Sequence, residues 1–310
     1  MKNKNIVIIG GAGFLGNHLS NYLVQENNVL VLDNLLSGKR EYLDSNVNFR
    51  KIDIRYSVVR LSKILRDFKT DYVFHLAACP FIPDSYENPE EFVDINIRGT
   101  LNVLKACQEA DIYRVLVYSS SEVYGGASNR HQTISEDFPV FPRSLYATTK
   151  LAADRICYNF FNEHGVPVII LRQFNSFGPK WTQPYVIPVI MKQLSIRETI
   201  KLGNIRACRD FLYVKDQVRI VSELIEKGKV GEVYNLGLGK SYSVKEIAVL
   251  IAKIMGKVLQ IEVREERMRP DDVQYLLSDN TKVYKVIKSR PEYTFEEGLK
   301  ETYQWFLNRK

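Results

Sequence analysis

An apolar, β-branched run, Ile6-Val7-Ile8-Ile9, leads straight into Gly10-Gly11-Ala12-Gly13-Phe14-Leu15-Gly16. The run reads as a strand buried on both faces. Residues 14–26 then carry Phe14, Leu15, Leu19, Leu23 and Val24 at helical spacing. Few architectures accept a strand that passes through a glycine turn directly into a helix. Glycines at such a turn let the backbone approach a pyrophosphate, and the helix N-terminus attracts its charge. The next strand, Val29–Leu32, ends at Asp33, 17 residues beyond Gly16. A carboxylate there accepts from both hydroxyls of an adenosine ribose and repels a 2′-phosphate. The expected cofactor is NAD rather than NADP, a preference that the nearby Lys39 and Arg40 temper.

Further strand-like runs fall at Val47–Ile52, Tyr72–Leu76, Val115–Tyr118 and Val166–Leu171, with helical patterns at about 57–68, 89–110 and 145–164. Strand and helix in alternation predict a doubly wound parallel sheet with helices on both faces, an α/β fold of the Rossmann type. After Leu171 the rhythm breaks, and residues 172–212 read as loop-rich, punctuated by Gly178-Pro179, Pro184 and Pro188. A helix at 214–227, a strand at Val233–Leu236 and a helix at 243–255 follow. Two units are expected: residues 1–171 for the dinucleotide, and 172–310 as a smaller, mixed α/β substrate region. Segments at about 213–237 are expected to return to the first unit.

With 310 residues, 45% of them hydrophobic, the chain has ample core. The formal charge is +7, without a basic run of five, which excludes a nucleic-acid-binding tail and leaves room for an anionic small substrate. No apolar stretch reaches a membrane-spanning length, so a cytoplasmic protein is expected. Cys79, Cys107, Cys157 and Cys208 have no metal-like spacing and read as reduced and buried. His75, His131 and His164 show no ligand spacing either, and no metal is expected.

The glycine turn, together with Tyr146-Ala147-Thr148-Thr149-Lys150 as a Tyr-x-x-x-Lys unit, resembles the extended short-chain dehydrogenase/reductases, and within them the nucleotide-sugar epimerase/dehydratase branch. The likeness runs through nearly the whole chain. It takes in Asp33-Asn34-Leu35, Asp53-Ile54, His75-Leu76-Ala77-Ala78, Asn96…Gly99-Thr100, Arg172–Pro179, Arg209–Val214 and Arg269-Pro270-Asp271. The resemblance implies a cofactor-binding set of Gly10, Gly13, Phe14, Leu15, Gly16, Asp33, Asn34, Asp53, Ile54, Leu76, Ala77, Ala78 and Asn96, with Tyr146 and Lys150 at its reactive end. It implies that Asn175, Arg209 and Arg269 hold the diphosphate of a nucleotide sugar. Arginine's planar fork suits two phosphate oxygens at once. It also implies a homodimer through a four-helix bundle built from residues 89–110 and 145–164 of each subunit. Trp181 and Tyr185 are candidates to stack on the base.

Tyr146 and Lys150 lie one helical turn apart. A nearby ammonium is expected to lower the phenol's pKa, so that Tyr146 can take a hydroxyl proton while hydride leaves the same carbon. By motif position Ser120 binds the same oxygen. Glu122 follows two residues later, at the carboxyl end of a parallel strand, where open α/β sheets bind ligands. A C4 epimerase needs no further base there. A 4,6-dehydratase does, because the C5 hydrogen becomes acidic once C4 is a ketone. The glutamate of the 4,6-dehydratases sits where Glu122 sits. The dTDP-glucose dehydratases carry an aspartate just before it, where this chain has Ser121. Ser121-Glu122-Val123-Tyr124-Gly125 is closer to the GDP-mannose dehydratases, the UDP-N-acetylglucosamine 4,6-dehydratases and the UDP-glucuronate decarboxylases. The expected activity is a nucleotide-sugar 4,6-dehydratase. A 4-epimerase, a decarboxylase and a non-catalytic NAD sensor are the alternatives.

Overall fold

The structure is a computed structural model that describes residues 1–308. Its strands are β1 (Asn5–Ile9), β2 (Asn28–Asp33), β3 (Asn48–Lys51), β4 (Tyr72–His75), β5 (Arg114–Ser120) and β6 (Val168–Gln173). They are followed by β7 (Asn175–Phe177), β8 (Thr199–Leu202), β9 (Cys208–Tyr213), β10 (Val233–Leu236), β11 (Ser241–Ser243) and β12 (Gln260–Val263). Seven of them form one parallel sheet in the order β10-β6-β5-β4-β1-β2-β3. This is the doubly wound arrangement that the alternating pattern predicts.

Side chains on a strand alternate between faces, and β1 shows the consequence. Ile6 and Ile8 enter one core with Leu19, Leu224 and Ile251, while Val7 and Ile9 enter a second with Leu61, Leu104 and Cys157. Helices Phe14–Leu23 and Val214–Lys227 cover the first face. Helices Val58–Asp67, Thr100–Glu109 and Leu145–His164 cover the second. The long helix Leu145–His164 is bounded by chemistry visible in the sequence. Ser144 Oγ accepts from the Ala147 N–H, and Gly165 ends the helix at φ 68°.

Two regions depart from the sequence reading. Residues 172–212, expected to be loop-rich, contain β7, β8, β9 and the helix Val186–Leu194. Pro188 misled the reading. It sits in that helix's first turn, where a missing N–H costs nothing. Residues 89–110 do not form one regular helix. A π-helical stretch, Val93–Gly99, separates the short helix Pro89–Phe92 from Thr100–Glu109. Such wider turns gather at functional places, and this one carries Asn96.

Beside the main sheet, β7, β9 and β11 form a second sheet, and β8 pairs with β12 in a third. β9 links this region to the rest through Asp210, which is fully buried. Its carboxylate accepts from the N–H groups of Leu238, Gly239 and Ser278 and from Ser278 Oγ. Asp210→Ala strands these buried donors, each costing about 1–3 kcal/mol. A loss of at least roughly 3 kcal/mol in urea unfolding is expected. A change under 1 kcal/mol, on the order of a surface substitution, contradicts this account of the junction.

Candidate active site

The carboxyl ends of the parallel strands open into a cavity of about 830 Å³. The turn after β1 forms its floor. Gly10 has φ +82°, and a Cβ there would stand 2.4 Å from Ala77 N, while one at Gly16 would stand 2.2 Å from Gly10 O. A Cβ at Gly13 would meet only Gly10 O, at 3.3 Å, so it would project into the space that the cavity occupies. Helix Phe14–Leu23 has neither a side-chain cap nor an acidic residue in its first turn, so its leading N–H groups remain for an anion. These features fit a dinucleotide's pyrophosphate.

Asp33 ends β2 with its carboxylate buried. Oδ2 accepts from Ala12 N at 3.0 Å and Oδ1 from Leu35 N at 2.7 Å, which leaves lone pairs for ribose hydroxyls. Burial pushes this carboxyl above its usual range, against the pull of the two backbone bonds. Next to it, Asn34 Nδ2 donates to Asp53 Oδ2 at 3.0 Å. Burial works to raise Asp53, but the Arg55 fork, with contacts of 3.0 and 2.8 Å, outweighs it and holds the carboxyl at about 2. Arg55 was not singled out from sequence; its place two residues after Asp53 was the available signal.

Leu76, Ala77 and Ala78 line the cavity with the glycine turn, as do Phe14, Leu15, Asn34, Asp53 and Ile54. Asn96 does not. It is buried beneath the wall, where Oδ1 accepts from Cys79 N at 2.8 Å and Nδ2 donates to Thr149 Oγ1 at 3.0 Å. It joins the segment after β4 to the helix that carries Tyr146.

Ser120, Ser121, Glu122, Tyr146 and Lys150 all line one stretch of the wall. Ser120 ends β5, and its Oγ caps the single 3-10 turn Ser121–Tyr124 by accepting the Glu122 N–H at 3.2 Å. The half-buried Glu122 is thereby set into the cavity wall. Ser120 is close enough to the Tyr146 phenol to favour its ionised form slightly. The expected effect of Lys150 on Tyr146 is not present. Lys150 Nζ donates instead to the Tyr118 carbonyl. Burial pushes the phenol up to about 12, and the negative charge of Glu122 adds to the rise. Burial also pushes the Lys150 ammonium down to about 8. In this state the site therefore holds a neutral phenol, because enclosure outweighs the cation one turn away.

Arg209, Arg269 and Asn175 line the same cavity. Both arginines share a carboxylate that sequence reasoning missed. Asp272 accepts from Arg209 Nη2 at 3.1 Å, lies 3.8 Å from Arg269 Nη1, and also accepts from Asn204 Nδ2 at 2.9 Å. It holds two cations side by side in the wall, an arrangement suited to a diphosphate. Lys201 and Arg267 add positive charge to the lining. Of the two aromatic candidates, Tyr185 lines the cavity, packed edge-on to Phe81. Trp181 is instead buried against Trp305 and Phe306. Among the described residues, no group of three or more His, Cys, Asp or Glu is placed to hold a metal ion, and no helix is long and apolar enough to cross a membrane.

A parallel sheet in this strand order, a glycine turn with an acidic partner, and a Ser/Tyr/Lys cluster define the nucleotide-sugar branch of the extended short-chain dehydrogenase/reductases. The family model described as GDP-mannose 4,6 dehydratase matches residues 7–302, and the chain belongs to that family. The low-salt glycan biosynthesis protein Agl12 of Haloferax volcanii is 33% identical over 313 residues, covering 98% of each chain. The structure of UDP-N-acetylglucosamine 4-epimerase from Methanobrevibacter ruminantium, in complex with UDP-N-acetylmuramic acid, is 33% identical with a TM-score of 0.89 and covers 100% of both chains. The dTDP-glucose 4,6-dehydratase of Streptomyces venezuelae, solved with NAD, is 26% identical with a TM-score of 0.88, covering 98% of this chain and 97% of its own. The named activities among these relatives are thus a nucleotide-sugar 4,6-dehydratase, solved with NAD, and a nucleotide-sugar 4-epimerase.

The depressed lysine gives a test of the site's electrostatics. Below pH 8 both folded and unfolded states carry the Lys150 proton, and the cost of burying the charge stands in full. Between about 8 and the ordinary 10.5 the folded state has shed that proton while the unfolded state keeps it, so stability rises with pH across the window. Lys150→Met in the cofactor-free protein is therefore expected to be more stable than wild type at pH 7, by about 2 kcal/mol. The advantage should shrink to nothing above pH 10.5. Urea unfolding of both proteins at pH 7 and 10.5 measures this, and a less stable variant at pH 7 contradicts it.

Proposed function

We propose that this chain is an NAD-dependent nucleotide-sugar 4,6-dehydratase, a lyase acting on UDP-N-acetylglucosamine or another NDP-hexose. The observation that carries the reading is the Glu122 carboxylate, which lines the cavity in the same stretch of wall as Ser120 and Tyr146. Epimerisation at C4 gives a carboxylate there nothing to do, whereas elimination requires a base.

The glycine turn, Asp33, Asn34 and the Leu76–Ala78 segment hold the dinucleotide, and Arg209, Arg269 and Asn175 hold the substrate's diphosphate. NAD held by these residues would supply the reversible hydride exchange that the reaction needs, from C4 and back to C6, and the positive charge of its oxidised form would favour an ionised Tyr146. Tyr146, once its own proton has passed to solvent, accepts the O4 proton, and Ser120 binds the same oxygen. With C4 a ketone, Glu122 removes the C5 proton. The C6–O bond breaks, and the proton on Glu122 leaves with that hydroxide as water. C5 regains a proton from solvent, so the sugar loses one water in all. Ser121 stands beside Glu122 in place of the aspartate of the dTDP-glucose dehydratases, which assigns both proton removal and proton donation to Glu122.

In this reading residues 1–171, joined by about 213–237, form the cofactor half, and the following residues mainly form the substrate half. The pairing of β10 with β6 supports that division. The enzyme works in the cytoplasm as a homodimer through the segments 89–110 and 145–164. Exposed Val93 and Tyr158, with the partly buried Leu101 and Ile156, give these helices an apolar outer stripe that supports the bundle.

The test is to incubate the protein with UDP-N-acetylglucosamine, dTDP-glucose, GDP-mannose, UDP-glucose and UDP-glucuronate and to weigh the products. Loss of water from one of them is expected. Loss of carbon dioxide, or a new stereoisomer of unchanged mass, contradicts the assignment. Glu122→Gln should cut water loss by about 10²–10⁴-fold while still building up reduced cofactor.

A further inference from the structure

Below the cavity wall lies a buried ion pair that the chemistry above does not use. Asp154, 1% exposed, and Arg172, 5% exposed, meet at 2.9 Å (Nε to Oδ2) and 3.4 Å (Nη2 to Oδ1). Desolvating two charges this fully costs several kcal/mol per ion, and well-packed apolar side chains commonly do as well for stability. A pair of this kind therefore contributes direction more than it contributes energy.

Its hydrogen bonds reach both ends of one short segment. Ser119 Oγ donates to Asp154 Oδ2 at 3.1 Å, and Arg172 Nη1 donates to the Tyr124 hydroxyl at 3.0 Å. Tyr124 in turn donates to Asn235 Oδ1 on β10 at 2.8 Å. Ser119 immediately precedes Ser120, and Tyr124 closes the 3-10 turn that carries Glu122. Lys150, one turn before Asp154 on the same helix, holds the Tyr118 carbonyl. The strand end is thus gripped from below at Tyr118 and Ser119, and the turn at Tyr124.

We propose that Asp154, Arg172 and Tyr124 form a two-armed clamp of positioning residues, its Ser119 arm bearing chiefly on Ser120 and its Tyr124 arm chiefly on Glu122. The Ser119 arm places Ser120 for the C4 oxidation, and the Tyr124 arm places Glu122 for the elimination. This rests on the dehydratase reading for the second step only, since C4 oxidation is common to dehydratase and epimerase. None of these three residues touches the reacting atoms. A misplacement on the order of 1 Å at a reacting group costs about a hundredfold in rate, so removing one arm is expected to slow its own step about tenfold to a hundredfold.

The test uses full-length enzyme with bound NAD, the wild type beside Ser119→Ala and Tyr124→Phe. Three quantities are read: amide hydrogen exchange across residues 119–125, single-turnover build-up of reduced nicotinamide, and water loss by mass. Both variants should stay folded and exchange faster in this segment, with Tyr124→Phe unfolding at lower urea than Ser119→Ala because the buried Asn235 Oδ1 loses its donor. Ser119→Ala should slow the build-up of reduced cofactor. Tyr124→Phe should leave that build-up near wild type and slow water loss, so that reduced cofactor accumulates. Unchanged exchange in both variants, or equal slowing of both steps in both, overturns the clamp. If the wild type eliminates no water from any nucleotide sugar, the assigned reaction fails, and hydrogen exchange and the Ser119→Ala oxidation rate still judge the clamp. Asp154→Asn is not the primary variant, because breaking the buried pair threatens folding itself.

Discussion

The turn after β1 has no room for a side chain at Gly10 or Gly16. At Gly10 and Gly16 an added Cβ would fall within 2.4 Å of backbone atoms of Ala77 and Gly10 respectively. That closeness draws β1, the first helix and the segment after β4 into one seam. The seam has two consequences. The helix N-terminus is exposed to the cavity with its N–H groups uncommitted, and Leu76–Ala78 become part of the same wall. Because every strand of the main sheet runs parallel, the ends of β2, β5 and β6 open beside it. Asp33, Ser120 and Asn175 reach one cavity through topology rather than sequence proximity.

At the reactive end two effects compete. Enclosure favours a neutral Tyr146 and a weakly held proton on Lys150, whereas catalysis needs a phenol that can give up its proton readily. Glu122 makes that competition harder, since its charge also opposes phenolate. A wall with a carboxylate beside a proton-accepting tyrosine is an unfavourable arrangement unless the carboxylate has its own task. Removing the C5 proton is such a task, and it links an electrostatic cost to the function proposed.

Much of this was legible in the sequence. The helical pattern read at 145–164 coincides with the helix Leu145–His164 that carries Tyr146, because a long periodic segment is a strong signal. β-branched runs gave the buried parallel strands. The substrate half was less legible. Pro188 looked like a breaker because a proline in a first turn and one in a loop read alike, and β7 to β9 are short strands whose partners lie far off in the chain. Asn96 kept its place in the motif, but its amide is used inside the wall, between Cys79 and Thr149, which spacing does not reveal. Asp272 was hidden for a similar reason. A carboxylate that pairs Arg209 with Arg269 is a tertiary fact, visible only when residues 63 positions apart meet.

The central claim is that Glu122 acts on the C5 hydrogen of the sugar. Running the reaction in deuterium oxide and locating the label by NMR addresses it directly. The account predicts one deuterium at C5 of a dehydrated product, with the hydrogen formerly at C4 now at C6. A product without deuterium at C5, its C4 hydrogen returned to the same carbon, would contradict it.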